Sequence, residues 1–283
     1  MYNILVPTDF SNDSYNALYY ATRLYKNQNC TFHIMHAYNS NTQFKEEYYG
    51  LNKSDNIDDF LKRRTAECLL ETYHRIVLDT EQNSLHKFNT VSTNKPLDKA
   101  IKSYVTKNKI ELVVMGSKGA TGALNIFIGG NTIKIVKSNI ACPILCIPKQ
   151  IDFIPISKVG YITSFKHSIE KKSLSILHSL ITEHKATLNA IHICDDENMN
   201  AFQEENKELL IEYFQDCIPR FHVLPYDKTK AQTISNFAQD QELSLLAMCY
   251  YQHTFLDSIF REPVVLDLSI YTEIPLLILP TKA

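Results

Sequence analysis

One internal repeat constrains the fold of this chain more than any other feature. The run ILVPTDF, followed by SNDSYNALYYATRLYKNQNCTFHIMHAY, matches VGYITSF, followed by KHSIEKKSLSILHSLITEHKATLNAIHIC, in strand-helix-strand order and in a histidine on the second strand, His36 and His192. Further along, ELVVMGSKG parallels LSLLAMCYY, and SNIACPILCIP parallels YTEIPLLILP. A chain of 283 residues is long enough for two domains of ordinary size, each with its own core. The expected domains are residues 1–149 and 150–283, with a short linker at Lys149–Ser157 that contains Pro155.

Within each half, short β-branched runs alternate with longer amphipathic segments, the pattern of a parallel sheet with crossover helices. In the first half strands are expected at Asn3–Pro7, Thr31–Ala37, Lys87–Val91, Glu111–Met115 and Ile144–Ile147. Ser11, Asn12 and Asp13 offer N-caps for the first helix, DDFLKRRTAECLLETYHRIVLD forms a long second one, Pro96 opens a third, and a fourth runs from about Asn131 to Lys137. In the second half strands fall near Lys158, Leu188, Phe221, Leu245 and Leu276. The expected fold class is therefore α/β, with two tandem open parallel five-stranded sheets flanked by helices in the Rossmann-like manner. The closing strands Ile144–Ile147 and Leu276–Leu279 each follow a proline and would leave an apolar edge, so they are expected to pair with one another.

Charge and cysteine usage exclude several classes of function. A net charge of −2 gives no footprint for nucleic acid or an anionic membrane surface, and no stretch approaches the ~18 apolar residues of a membrane span. The start, MYNILVPTDF, has no basic region followed by a long apolar one, so it reads as a first strand, and the cytoplasm is the expected location. Seven cysteines without a CxxC pair fit reduced, packed thiols. His33, Met35 and His36 on the second strand, and Cys142 and Cys146 around the closing strand, read as structural residues; no metal site is expected from them.

In open parallel sheets ligands bind beyond the carboxyl ends of the strands. Two segments lie there. VPTDFS places Asp9 just past the first strand, where its carboxylate can accept from ribose hydroxyls or cap the following helix. MGSKGATGALNIFIGGNT follows the fourth strand and holds five of the chain's seven glycines. Such a loop can bring backbone N–H groups onto phosphate oxygens, helped by the positive end of the helix that starts near Gly130. It matches neither GxxxxGK[ST] nor GxGxxG.

GSKG, nine residues and then GGNT resemble the phosphate loop of universal stress proteins. ILVPTDFS, MHAY and ACPILCIP resemble that family's opening strand, second-strand end and closing strand, which extends the resemblance over nearly all of the first 150 residues. The second half resembles the divergent partner of tandem members. The resemblance implies adenine-nucleotide binding, ATP or AMP, in the first half alone. Pro7 and Asp9 would contact ribose, and Ala37 and Met115 the adenine side. Gly116, Gly119, Gly129 and the backbone after it, through Gly130, Asn131 and Thr132, would hold phosphates. Mg²⁺ would accompany ATP. The family pattern has Ser or Thr where this chain has Gly130, which removes a hydrogen bond worth about 0.5 to 1.5 kcal/mol unless Asn131 or Thr132 replaces it.

In the second half the matching positions carry Ser164 for the Asp, Cys249 and Gln252 for the first glycine pair, and Glu262 and Pro263 for the last. Side chains, a negative charge and a missing amide donor all oppose phosphate there, so a structural role is expected for that half. The resulting expectation is a stress-response or regulatory protein, a nucleotide-dependent switch with at most slow ATP hydrolysis and no catalytic residues. Its halves would form an intramolecular pseudo-dimer, with a homodimer as a further assembly. The alternatives are a nucleotide-free scaffold of the same fold and, from another class, an adenylating enzyme, for which the second half supplies no substrate domain. The aromatic segment Gln43–Tyr49, weighed as a mobile lid over the nucleotide or an ordinary surface loop, reads as the loop.

Overall fold

The computed structural model describes residues 1–38, 57–116, 130–138, 140–149, 151–194, 199–225, 230–250 and 274–281. Among them are ten strands and seven helices. The strands are β1 (Tyr2–Pro7), β2 (Cys30–Ala37), β3 (His86–Thr93), β4 (Leu112–Gly116), β5 (Ile144–Ile147), β6 (Lys158–Ile162), β7 (Thr187–Cys194), β8 (Arg220–Pro225), β9 (Leu245–Tyr250) and β10 (Leu276–Pro280). The helices are α1 (Asn12–Leu24), α2 (Ile57–Asp79), α3 (Leu97–Asn108), α4 (Gly130–Lys137), α5 (Lys171–His184), α6 (Ala201–Tyr213) and α7 (Lys230–Asp240). The fold is α/β, with open, mostly parallel sheet and helices between the strands. No helix among the described residues is long and apolar enough to cross a membrane.

The chain divides into two compact units, the first holding β1–β4 and α1–α4, the second β5–β10 and α5–α7. Lys149–Phe153 goes with the first, where the Phe153 ring meets Tyr20 at 5.1 Å, and the second resumes at Ile154. In the first unit the strand order is β3-β2-β1-β4, all parallel. β1 is central, and Ile4, Leu5 and Val6 are fully buried, which explains its unbroken apolar run. β3, at the edge, buries only His86 and leaves its other residues half-buried or exposed. α1 turns Ala17, Leu18, Ala21 and Leu24 inward at three- and four-residue spacing, while Ser11 caps its start by accepting from Ser14 N at 3.2 Å. α2 buries Leu61, Leu69 and Ile76, and its Arg75 guanidinium lies 3.6 Å above the Tyr15 ring of α1.

In the second unit the order is β5-β10-β9-β6-β7-β8, with β5 antiparallel and the others parallel. β5 and β10 pair through Leu276 with Cys146, Leu277 with Leu145 and Ile278 with Ile144. This is the expected pairing of the two closing strands, and it draws the last strand of the first repeat into the second unit. β6 occupies the place of β1, buried from Val159 to Ile162, and β8 forms the partly exposed edge.

The registers make the repeat quantitative. Ile4 pairs with Phe32 and Leu112, and its counterpart Val159 pairs with Leu188 and Leu245. Counting along these strands sets His192 in the place of His36, Ser164 in that of Asp9, and Cys249 in that of Gly116.

Candidate functional site

The candidate site grows from the carboxyl end of β1. Beyond Pro7 the chain leaves the strand but stays tied to its neighbour, because Thr8 N donates to Met35 O at 2.8 Å. Thr8 Oγ1 then accepts from Phe10 N at 2.9 Å and lies 3.0 Å from Ser14 Oγ. These bonds hold Phe10 at φ 63°, a left-handed conformation unusual for a bulky residue. The bend sets the Phe10 ring 4.4 Å from that of His36, whose Nδ1 bonds Thr8 O at 2.7 Å. Burial holds the His36 imidazole below its usual pKa, against the raising effects of that backbone bond and of Asp9.

Asp9 sits on this bend. Its Oδ1 accepts from Ser11 N at 3.1 Å and from Ser11 Oγ at 2.5 Å, which orients the residue that caps α1. The N-cap of α1 is therefore Ser11 and not Asp9, whose carboxylate instead orients the capping residue.

The second strand to supply the site is β4, beside β1 in parallel register. Met115 is buried near its end, and Gly116 closes it. A Cβ on Gly116 would stand 2.8 Å from Asp13 O, so only glycine lets the strand end pass under the first turn of α1. Thr132, in the first turn of α4, is buried and donates from Oγ1 to Gly116 O at 3.3 Å. Its hydroxyl proton therefore ties α4 to β4. Gly130 differs on every count: it is exposed, and nothing lies within 4 Å of the Cβ it lacks. Asn131 is exposed beside it. Ala37 ends β2, in register with Thr93.

Of the predicted site residues, Pro7, Asp9, Met115, Gly116, Gly130, Asn131 and Thr132 fall on elements that meet at the carboxyl ends of β1 and β4, and Ala37 falls at the end of the adjacent β2. Gly119 and Gly129 lie outside the described residues, as do Gln252, Glu262, Pro263 and the segment Gln43–Tyr49. Sequence reasoning missed Thr8, Phe10 and Ser14, the residues that shape the bend. Their signal was present in the repeat, since T-x-F with the strand-two histidine occurs twice.

The other singled-out residues have structural partners. His33 Nδ1 is 3.0 Å from Tyr104 Oη. Cys142 and Cys146 are buried, and burial pushes both thiols up to about 12, far from a reactive thiolate at neutral pH.

The second unit preserves the bend and rebuilds the segment after it. Thr163 N donates to Ile191 O at 3.0 Å, Phe165 N donates to Thr163 Oγ1 at 3.1 Å, Phe165 has φ 54°, and His192 Nδ1 bonds Thr163 O at 3.1 Å. The next helix, however, starts at Lys171, whereas a copy of α1 would start at His167. The missing turn is replaced by amides from α6: Gln203 Nε2 donates to Ser164 O at 2.8 Å, Asn206 Nδ2 to Phe165 O at 3.0 Å, and Ile169 N donates to Asn206 Oδ1 at 3.3 Å. Without that turn, a side chain at Cys249 has room where Gly116 has none.

These features define an α/β protein whose candidate site lies at the carboxyl ends of parallel strands, in loops leading to helix N-termini. The chain belongs to the universal stress protein family, whose family model matches residues 1–148. Over its whole length it is similar to a universal stress protein from Archaeoglobus fulgidus DSM 4304, with 14% identity, coverage of 98% of this chain and 97% of that one, and a TM-score of 0.65. A functionally unknown protein from Pseudomonas aeruginosa PAO1 is similar at 15% identity, 98% and 92% coverage and a TM-score of 0.55. So is the cytoplasmic domain of a prokaryotic cation chloride cotransporter, at 10% identity, 99% and 95% coverage and a TM-score of 0.56. At these identities the likeness is one of fold. No curated protein matches the sequence.

Proposed function

We propose that the first half binds an adenine nucleotide, ATP or AMP, and that the chain acts as a stress-response regulator whose loaded and empty states differ in partner affinity. The observation that carries this reading is that Asp9, Gly116 and the start of α4 fall at the carboxyl ends of the adjacent strands β1 and β4. Gly116 approaches the α1 backbone, and Thr132 fastens α4 to the same glycine. The arrangement directs the N-terminus of α4 to the end of β4, and a helix N-terminus favours an anion such as phosphate. Asp9 stands where a ribose hydroxyl would be met, and Ala37 and Met115 flank the adenine side. When ATP is the ligand, Mg²⁺ would be carried by its phosphates, since the described residues offer no group of three His, Cys, Asp or Glu that could hold a metal.

The protein is read as a binder with at most slow hydrolysis, residing in the cytoplasm, where its seven cysteines would stay reduced. The domains are proposed as 1–149 and 150–283, the second serving a structural role. Pairing of the closing strands supports a pseudo-dimer formed within one chain, and a homodimer is proposed as a further assembly. A nucleotide-free scaffold is the second reading, favoured by Gly130 and by the commitment of the Thr132 hydroxyl to Gly116.

Isothermal titration of the full chain with ATP and AMP tests the proposal. The expected result is one nucleotide per chain, abolished in Gly119→Val with the fold intact. Two sites per chain, or unchanged binding in a folded Gly119→Val, would reject it; no binding at all would leave the scaffold reading standing.

A further inference from the structure

The first unit carries an open groove of about 570 Å³ between α1 and the last turns of α2, within the roughly 300–1,000 Å³ of small-ligand sites. Asn12, Tyr15, Asn16 and Tyr19 line it from α1, Arg75 and Asp79 from α2. The first four follow at steps of three and four residues, so they share one helix face, each amide and each phenol one turn, roughly 6 Å, from its like. The α2 wall is fastened to that face. Tyr15 Oη donates to Asp79 Oδ2, the Arg75 guanidinium carbon stands 3.6 Å from the centre of the Tyr15 ring, and Arg75 Nε is 3.7 Å from the same carboxylate oxygen. Burial first, then Asp79, raise the Tyr15 pKa and keep its hydroxyl protonated; Tyr19 adds to the shift, which sets it close by.

Tyr15, Arg75 and Asp79 thus occupy one another and leave the groove without net charge. Asn12, Asn16 and Tyr19 do not: among the described residues their side chains make no hydrogen bond, and Asn16 Nδ2 is buried without an acceptor. What remains for a ligand is two amides and a phenol, each able to donate and to accept, beside aromatic rings. No aliphatic side chain lines the groove among the described residues, so a peptide finds no apolar anchor there.

We propose that this groove binds an uncharged saccharide of one or two rings. A sugar hydroxyl donates and accepts at once, as the free amides and phenol do, and the C–H face of a pyranose lies on an aromatic ring without an aliphatic pocket. Neighbouring hydroxyls would pair with Asn12 and Asn16, and a ring face would lie against Tyr19. A charged ligand gains little, because Arg75 and Asp79 offset each other. The corresponding helices of the second unit are bridged instead: Lys171 Nζ meets Glu212 Oε1 at 3.1 Å and His178 Nε2 meets Asp216 Oδ1 at 3.0 Å, between α5 and the end of α6. The assignment is independent of nucleotide binding in the first half.

The test uses the full chain labelled with fluorotyrosine and followed by fluorine NMR, the Tyr19 signal being assigned by its loss in Tyr19→Phe. Glucose, maltose and sucrose are titrated, with glycerol and an end-blocked trialanine as comparisons. Saturable movement of the Tyr19 signal is expected with the sugars, glycerol and the peptide binding at least tenfold more weakly than maltose. The maltose affinity should not change between low and high salt, as befits an uncharged ligand. Asn12→Ala and Asn16→Ala should each weaken maltose by about threefold or more, the loss of one hydrogen bond. Asn12 is exposed at the first position of α1, so its variant serves if Asn16→Ala does not fold. Absence of saturable movement with all the sugars, glycerol or the peptide binding as tightly as maltose, an affinity that falls with salt, or unchanged affinity in a folded variant would overturn the proposal.

Discussion

Restoring a hydroxyl at Gly130 should tighten nucleotide binding by a predictable amount. Gly130 is the first residue of α4, it is exposed, and the position of its absent Cβ is open to beyond 4 Å, so Gly130→Ser introduces no clash. The neighbouring hydroxyl cannot already do the work, because Thr132 Oγ1 is buried and donates to Gly116 O. One regained hydrogen bond is worth about 0.5 to 1.5 kcal/mol net. At about 1.4 kcal/mol per factor of ten, that is roughly a two- to twelvefold lower Kd for ATP. Removing a glycine also restricts the unfolded chain and adds about 0.4 to 1 kcal/mol of stability irrespective of any hydroxyl. Gly130→Ala shares that second effect and lacks the first, so it is the control. The assays are isothermal titration and urea denaturation of wild type and both variants. Serine should gain affinity and stability, alanine stability alone. A serine variant that binds no more tightly than the alanine variant, with both folded, would refute the assignment of this position to the phosphate loop.

Other perturbations probe the packing and the buried histidines. Gly116→Ala forces a methyl to within 2.8 Å of Asp13 O and should cost about 1 to 3 kcal/mol in urea unfolding, with loss of the α1 cap contacts visible by amide exchange. Leu277→Lys places a charge on a fully buried residue of β10, paired with Leu145 and Ala247, and should destabilise the second unit by about 3 kcal/mol or more, read from its unfolding midpoint. Burial lowers the pKa of His33, His36 and His86 in the folded protein, so the unfolded chain takes up protons first as the pH falls through about 6.5. Stability from these residues is therefore fully present above that pH and declines below it, down to the folded pKa values; the urea midpoint should be lower at pH 5.5 than at 7.5, and less so in His36→Gln.

The parts of the fold legible in the sequence are those with local causes. β1 and β6 announce themselves as continuous apolar runs because both faces are covered, and α1 is marked by Ser11 ahead of a three- and four-residue apolar spacing. Gly116 was readable as a position needing freedom, but its reason, the Asp13 carbonyl, belongs to a helix about a hundred residues earlier in the chain. The pairing of β5 with β10 was legible from the apolar edges that both closing strands would leave, but its antiparallel register was not, because β5 is only four residues long and apolar throughout. Likewise no proline or glycine marks the lost first turn after β6. That change depends on Gln203 and Asn206, whose amides arrive from α6.

The two amides from α6 also make the divergence of the second half hard to reverse. Ser164→Asp and Cys249→Gly together would restore two letters of the first site, yet the backbone from His167 to Glu170 would still be held out of the helix by Asn206, and residue 164 would still be held by Gln203. Each reverting substitution, made alone, would meet surroundings fitted to its present occupant. The second copy has thereby passed a ratchet, and a protein engineer seeking two identical sites in this chain would do better to graft the whole strand-bend-helix segment of the first half than to correct the second residue by residue.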